Sequence, residues 1–304
     1  MGISSKAARF LMEMALEKPF SGSIMALGVQ ELSFFAFQLP RIAQQVGLSS
    51  NEMPDPTPST ERATDKQLFR ALGFSEILRT DVEVFEGAEL RLDLNSAEGP
   101  PAECRERFDC VLDGGTLEHV FHLPNALANI FHLTKVGGRI IHMNPAHNYI
   151  DHGFYSFSPT LFVDYYTENG FIVEKCLLFS HTRDVENEEW IAGEYTPGSL
   201  DEVHFGGLDD RLYDVFFVAT KTEKSTCTRV PQQGTYRRVW KDGSYQKFHA
   251  DSDERKRIVD AATKRPEWLQ RRFDQAAVKS ASLTKWLRRP SERKDFPLAG
   301  AKRY

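Results

Sequence analysis

Between Phe108 and Val120 the chain reads FDCVLDGGTLEHV. An apolar run of the kind that forms a buried strand gives way to Asp113, Gly114, Gly115, Thr116, Glu118 and His119. Glycine lets a backbone come close to a ligand. Carboxylates, a hydroxyl and an imidazole supply hydrogen bonds and proton transfer near neutral pH. A second polar group follows in HMNPAHNYIDHGFYSFSP, residues 142–159, which holds Asn144, His147, Asn148, Tyr149, Asp151 and His152. Taking a proton from a hydroxyl or amine needs a base within hydrogen-bond reach, and histidine suits that task. His119 and His147 are the candidate bases. Glu118, Asn144, Asn148, Asp151 and His152 are the candidate substrate contacts. The spacing of His142, His147, Asp151 and His152 matches no standard metal motif, and no metal is expected.

These residues need a scaffold that brings them to one edge. Short apolar runs at 22–28, 75–82, 88–94, 108–113, 137–144, 171–180 and 213–221 read as strands. Helical stretches fall at 4–17, at 31–46 with Pro40 as an interruption, from a cap at Ser59 or Thr60 to about Gly73, at 123–134 and at 159–169. Alternation of the two types predicts an α/β fold: a doubly wound, mainly parallel, Rossmann-like sheet with helices on both faces. The last two strands have no helix between them, so the sheet is expected to turn antiparallel there. Ligands of such sheets bind beyond the carboxyl ends of the strands. That rule makes 113–119 and 144–152 two walls of one crevice.

The resemblance that these segments carry is to the class I S-adenosylmethionine-dependent methyltransferases. FDCVLDGGTLEHV, the helix LPNALANIFHLTK and the strand VGGRIIHMNP resemble that family's fourth strand, following helix and fifth strand. Val136 stands where the family has proline. The likeness spans roughly residues 20–221 and is strongest over 108–145. It implies S-adenosyl-L-methionine as cofactor and methyl transfer (EC class 2.1.1), with O-methylation of a small-molecule or carbohydrate acceptor expected. The implied cofactor contacts are Gly28 after the first strand, Asp81 after the second, Asp93 and Leu94 after the third, and Asp113, Gly114 and Gly115 after the fourth. Glu83 is an alternative to Asp81. A carboxylate suits ribose hydroxyls because it accepts two hydrogen bonds. The departure is ALGVQEL, residues 26–32, which keeps only Gly28 of the family's glycine-rich turn. That loss leaves a second reading open: a non-catalytic binding or scaffold protein on the same fold.

The 304 residues carry a net charge of -5. Residues 255–304 hold 15 Lys+Arg against 5 Asp+Glu, a balance of +10, so the remainder stands at -15. Domains are therefore drawn at 1–221 and 222–304, the second a basic extension. In it, 235–250 reads as a hairpin turning at Asp242-Gly243, and 254–290 as helix broken at Pro266. Along 267–289, Leu269, Phe273, Ala276, Ser280, Leu283 and Leu287 form one apolar face beside basic residues and two tryptophans. Such a helix either packs on the body or lies on an anionic membrane surface. An acidic body without a recognition motif argues against nucleic acid. Four cysteines without CxxC spacing, no signal peptide and no apolar run of ~18 residues predict a cytoplasmic protein, peripheral at most to the inner membrane surface. Oligomeric state is not encoded in any of these patterns.

Overall fold

The computed structural model describes residues 2–50, 52–187, 189–201, 203, 206–241, 298 and 300–304. The chain divides into two compact units. One comprises Met1–Ser199, Arg211–Pro231 and Leu298–Tyr304; the other comprises Leu200–Asp210 and Gln232–Pro297. The first unit thus runs past residue 221 and takes back the end of the chain.

The first unit opens with helix α1 (Ser5–Glu17), capped by the Ser4 hydroxyl, which accepts from Ala7 N. Strand β1 (Ser23–Leu27) is buried throughout, as befits a central parallel strand covered on both faces. Residues 31–46 are not one helix. Glu31–Phe35 forms strand β2, with Leu32 and Phe34 buried and their neighbours more exposed, a period of two. Helix α2 (Gln38–Val46) follows, so Pro40 sits in its first turn, where its missing N–H is not needed. Ser59 and Thr60 do not cap the next helix. Strand β3 (Arg62–Thr64) intervenes and pairs with β2, and Thr64 caps helix α3 (Asp65–Leu72) reciprocally with Gln67.

Strand β4 (Glu76–Asp81) and a short β5 (Leu90–Arg91) come next, then β6 (Phe108–Asp113), a 3₁₀ turn over Leu117–His119 and helix α4 (Leu123–Leu133). The third strand expected over 88–94 is reduced to two residues, because Asp93 turns the chain by accepting from Asn95 N. Strand β7 (Thr134–His147), helix α5 (Pro159–Glu168), strands β8 (Ile172–His181), β9 (Ile191–Glu194) and β10 (Leu212–Thr220) complete the body. In the second unit, helix α6 covers Gly234–Lys241. The hairpin expected from 235 is corrected there: Tyr236 and Trp240 are four apart with rings 6.1 Å apart, a helical spacing. Asp242-Gly243 and the apolar face of 267–289 lie outside the described residues. Strand β11 (Lys302–Arg303) pairs with β9.

The nine strands form one sheet in the order β11-β9-β8-β10-β7-β6-β1-β4-β5. Pairing is parallel from β5 through β7 and antiparallel from β7 onward, as expected for the end of the sheet. Helices cover both faces. Phe10, Leu11, Leu39 and Leu68 share one core with Ala26, Leu112 and Ile141. On the other face Phe162 and Tyr166 of α5 stack on Phe217 of β10. The chain leaves β1 toward β4 on one side and β6 on the other. This is the switch point at which a crevice opens beyond the strand ends. Among the described residues, no helix is long and apolar enough to cross a membrane.

Candidate functional site

A cleft of about 330 Å³ lies at that switch point, lined by residues following β1, β4, β5 and β6. Gly28, Asp81, Asp93, Leu94, Gly114 and Gly115 all border it. The parallel register explains the convergence: Leu27 is level with Thr80 on one side and with Asp113 on the other. Gly28 adopts φ 79°, the left-handed region that glycine enters without strain. Its N–H donates to Thr80 O at 2.7 Å.

Gln30 folds back over this turn and lies against Gly114. Its buried carboxamide donates from Nε2 to Leu27 O at 2.8 Å and to Gly28 O at 3.3 Å. Its Oε1 is buried and has no hydrogen-bond partner among the described residues. Thr116 closes the same turn from the other side, donating from Oγ1 to Leu27 O at 2.6 Å.

Asp81 accepts from Val82 N through Oδ1 at 2.7 Å. Asp93 is engaged through Oδ1 with the backbone and side chain of Asn95. Asn95 in turn accepts from His122 N at 3.0 Å, which fixes the cleft's rim to the start of α4. Asp113 is placed differently. It is fully buried, and its Oδ1 accepts from Thr116 N and Leu117 N. Its Oδ2 lies 2.8 Å from His142 Nδ1, and His142 Nε2 lies 2.6 Å from the Tyr166 hydroxyl. Asp113 therefore holds the 3₁₀ turn and the sheet edge in place beneath the cleft.

That turn aims Glu118 inward and His119 outward. Glu118 is wholly buried; its Oε2 accepts from Asn144 Nδ2 at 3.1 Å, and its Oε1 has no hydrogen-bond partner among the described residues. Burial, and then the charge of Asp113, push its carboxyl up to about 7. His119 borders the cleft and is half-exposed; burial and the neighbouring His152 lower its pKa. His119 Nε2 and His152 Nε2 stand 4.0 and 3.7 Å from Glu118 Oε1.

His152 reaches this place through the loop after β7. Phe154 N and Tyr155 N both donate to Glu118 O, and a Cβ on Gly153 would come within 2.7 Å of the same oxygen. Asn148 and Asp151 take φ of 66° and 68°, which bend the loop into shape. Asn148 also donates to Arg211 O at 2.7 Å. The structure thus joins Glu118, His119, Asn144 and His152, and uses Asn148 and Asp151 as turn formers. His147 is elsewhere, with its ring edge toward Tyr213 at 6.0 Å.

A further buried group anchors the loop and was not assigned from the sequence. The Tyr149 hydroxyl lies 3.2 Å from His181 Nε2, which is 2.6 Å from Asp214 Oδ2. His181 Nδ1 lies 2.7 Å from Thr182 O, and Trp190 stacks on the ring at 4.3 Å. With a carbonyl and a carboxylate as partners, both ring nitrogens are suited to donate. Burial opposes that charge, but the hydrogen bond and charge of Asp214 outweigh it and raise the His181 pKa. The available signal was Asp214 itself, a carboxylate inside the apolar run YDVFFV.

No family model matches the chain, and no curated protein does. Solved structures do resemble it. An S-adenosylmethionine-dependent methyltransferase from Archaeoglobus fulgidus is 12% identical, with a TM-score of 0.37 over 71% of this chain and 96% of that one. The 1,6-didemethyltoxoflavin-N1-methyltransferase of Burkholderia thailandensis, solved with bound 1,6-didemethyltoxoflavin and S-adenosylhomocysteine, is 13% identical, with a TM-score of 0.35 over 72% of this chain and 78% of that one. What this chain's cleft can do rests on its own residues.

Proposed function

We propose that the protein is an S-adenosylmethionine-dependent methyltransferase acting on an oxygen, or on a nitrogen, of a small molecule or sugar. The observation that carries this reading is the switch-point cleft with a carboxylate at the end of β4 and, at its border, His119, which belongs to a cluster with Glu118 and His152. The donor set fits the cofactor. Asp81 ends β4 at the cleft with a carboxylate that suits ribose hydroxyls, and the Leu92–Asn95 segment lines the cleft with apolar and polar atoms that suit an adenine ring. Gly28 and Gly114 line the part of the cleft left for the amino-acid end, beside the Gln30 carboxamide. When bound, the cofactor supplies a methyl group activated on a sulfonium.

The chain's residues then have three tasks. Gly28 and Gly115 let the backbone border the cleft without side chains, and Gly114 makes room for the Gln30 carboxamide. Asp113 and His142 hold the 3₁₀ turn so that His119 stays at the cleft. The Glu118, His119 and His152 group receives the polar atom of the acceptor and the proton it sheds. Positioning alone supplies much of the rate when donor and acceptor are aligned.

Gln30 favours one other reading. By filling part of the turn it supports a scaffold protein that has kept the fold without cofactor binding. Calorimetric titration with S-adenosylhomocysteine, followed by transfer of labelled methyl groups onto phenols, sugars and amines, tests both. Saturable binding with transfer is expected. Absence of binding to the full-length protein would leave the scaffold reading in its place.

A further inference from the structure

We propose that Glu118, His119 and His152 form a binding site for a first-row divalent cation of the zinc type. The three residues come from two places in the sequence, and neither spacing suggests a metal. The fold brings one ligand atom from each to within 4.8 Å of the others. Bonds of ~2.0–2.2 Å in a tetrahedral site put ligand atoms roughly 3.4 Å apart. Glu118 Oε1 is already 3.7 and 4.0 Å from the two imidazole nitrogens. Small rotations of the two half-exposed rings close the remaining distance, and the buried carboxylate need not move.

The second observation is the state of Glu118. Its side chain is wholly buried, yet among the described residues Oε1 has no hydrogen-bond partner. A buried, unpartnered carboxylate oxygen is costly unless something of opposite charge completes it. Two imidazoles with their nitrogens turned toward that oxygen are suited to share a cation with it. Asn144 Nδ2, on Oε2 at 3.1 Å, orients the carboxylate as second-layer partners of metal ligands do. The docking of Phe154 N and Tyr155 N on Glu118 O holds the His152 segment against the 3₁₀ turn, so the pair is built into the backbone.

Ligand chemistry selects the ion. Two imidazoles and one carboxylate suit zinc, cobalt, nickel or iron(II), whereas magnesium and calcium favour all-oxygen sets. Three protein ligands leave coordination positions open, and because His119 borders the cleft they are accessible from it. On the methyl-transfer reading, an acceptor hydroxyl occupies such a position. With the cation bound the three side chains are ligands and not bases: the cation draws electron density from that oxygen, and its proton leaves to water rather than to them as the oxygen–methyl bond forms and the sulfur–methyl bond breaks. The cation site itself does not depend on that reading.

Titration of the full-length protein with Co²⁺ is the test, read by visible absorption and by competition with Zn²⁺ and Mg²⁺. One equivalent of Co²⁺ should give the intense bands of a four- or five-coordinate site, displaced by Zn²⁺ and not by Mg²⁺. Losing a second-layer partner already weakens metal binding ~10–100-fold, so Glu118→Gln and His152→Ala should weaken it by more than ~100-fold. His132→Ala, on α4, should leave it unchanged. His152 is half-exposed, which keeps the test available should Glu118→Gln not fold. S-adenosylhomocysteine affinity, measured on the same samples, separates the two readings: metal bands without cofactor binding support the site and remove the methyl-transfer reading. Absence of bands in the wild type, displacement by Mg²⁺, or equal bands in all variants overturns the site.

Discussion

The carboxamide of Gln30 occupies the place a side chain on Gly114 would need: a Cβ there would lie 2.1 Å from Gln30 Oε1. An alanine at 114 forces the amide off Leu27 O and Gly28 O, and each such bond is worth about 0.5–1.5 kcal/mol. Gly114→Ala should therefore destabilise the fold by about 1–3 kcal/mol. In a Gln30→Ala background the same change should cost less, by at least the ~0.5 kcal/mol that marks coupled neighbours. Urea unfolding of the four proteins measures the coupling, and strict additivity would separate the two residues.

Asp81 ends β4 at the cleft, and its Oδ1 accepts from the backbone of Val82 and Glu83. Asp81→Ala should weaken S-adenosylhomocysteine binding by roughly 1–3 kcal/mol through loss of charge-assisted hydrogen bonds to the ribose. Calorimetry reads this directly. Unchanged affinity would take Asp81 out of the site.

His119 and His147 are now distinguishable. His119 borders the cleft beside Glu118, and His147 packs toward Tyr213. His119→Ala should lower kcat by ~10²–10⁴-fold with cofactor affinity nearly intact. His147→Ala should leave kcat within a few-fold. The reverse order would place the acceptor on the β10 side of the loop.

The His181–Asp214 pair sets a pH dependence of stability. The folded pKa of His181 is raised above its ordinary 6.5. The pair's contribution is therefore complete below pH 6.5 and is lost as the pH rises through the folded value. His119 and His132 have lowered values and act in the opposite sense. The difference between wild type and His181→Gln isolates the pair. Urea midpoints from pH 5.5 to 8.5 should converge as the pH rises, and a constant gap would show that His181 does not titrate in this range.

The sequence by itself determined the fold class and the sheet edge where the cleft lies. Alternating apolar runs and helical periods specify a doubly wound sheet, and FDCVLD followed by GGTLEH marks the carboxyl end of a central strand. Those signals are local. Where a segment's partner was distant, the sequence was silent or misleading. Glu31–Phe35 is a strand because β3 lies beside it, and Gly234–Lys241 is a helix although its residues also suit a strand. The site divides in the same way. Gly28, Asp81 and Gly114 followed from strand ends, since a strand end is a local property. Only the tertiary structure decided that Asp113 is a buried support, that Gln30 fills the turn, and that Glu118 meets His119 and His152. Burial and cross-chain distance decide what a titratable side chain can do, and neither exists until residues 118 and 152 are folded onto one another.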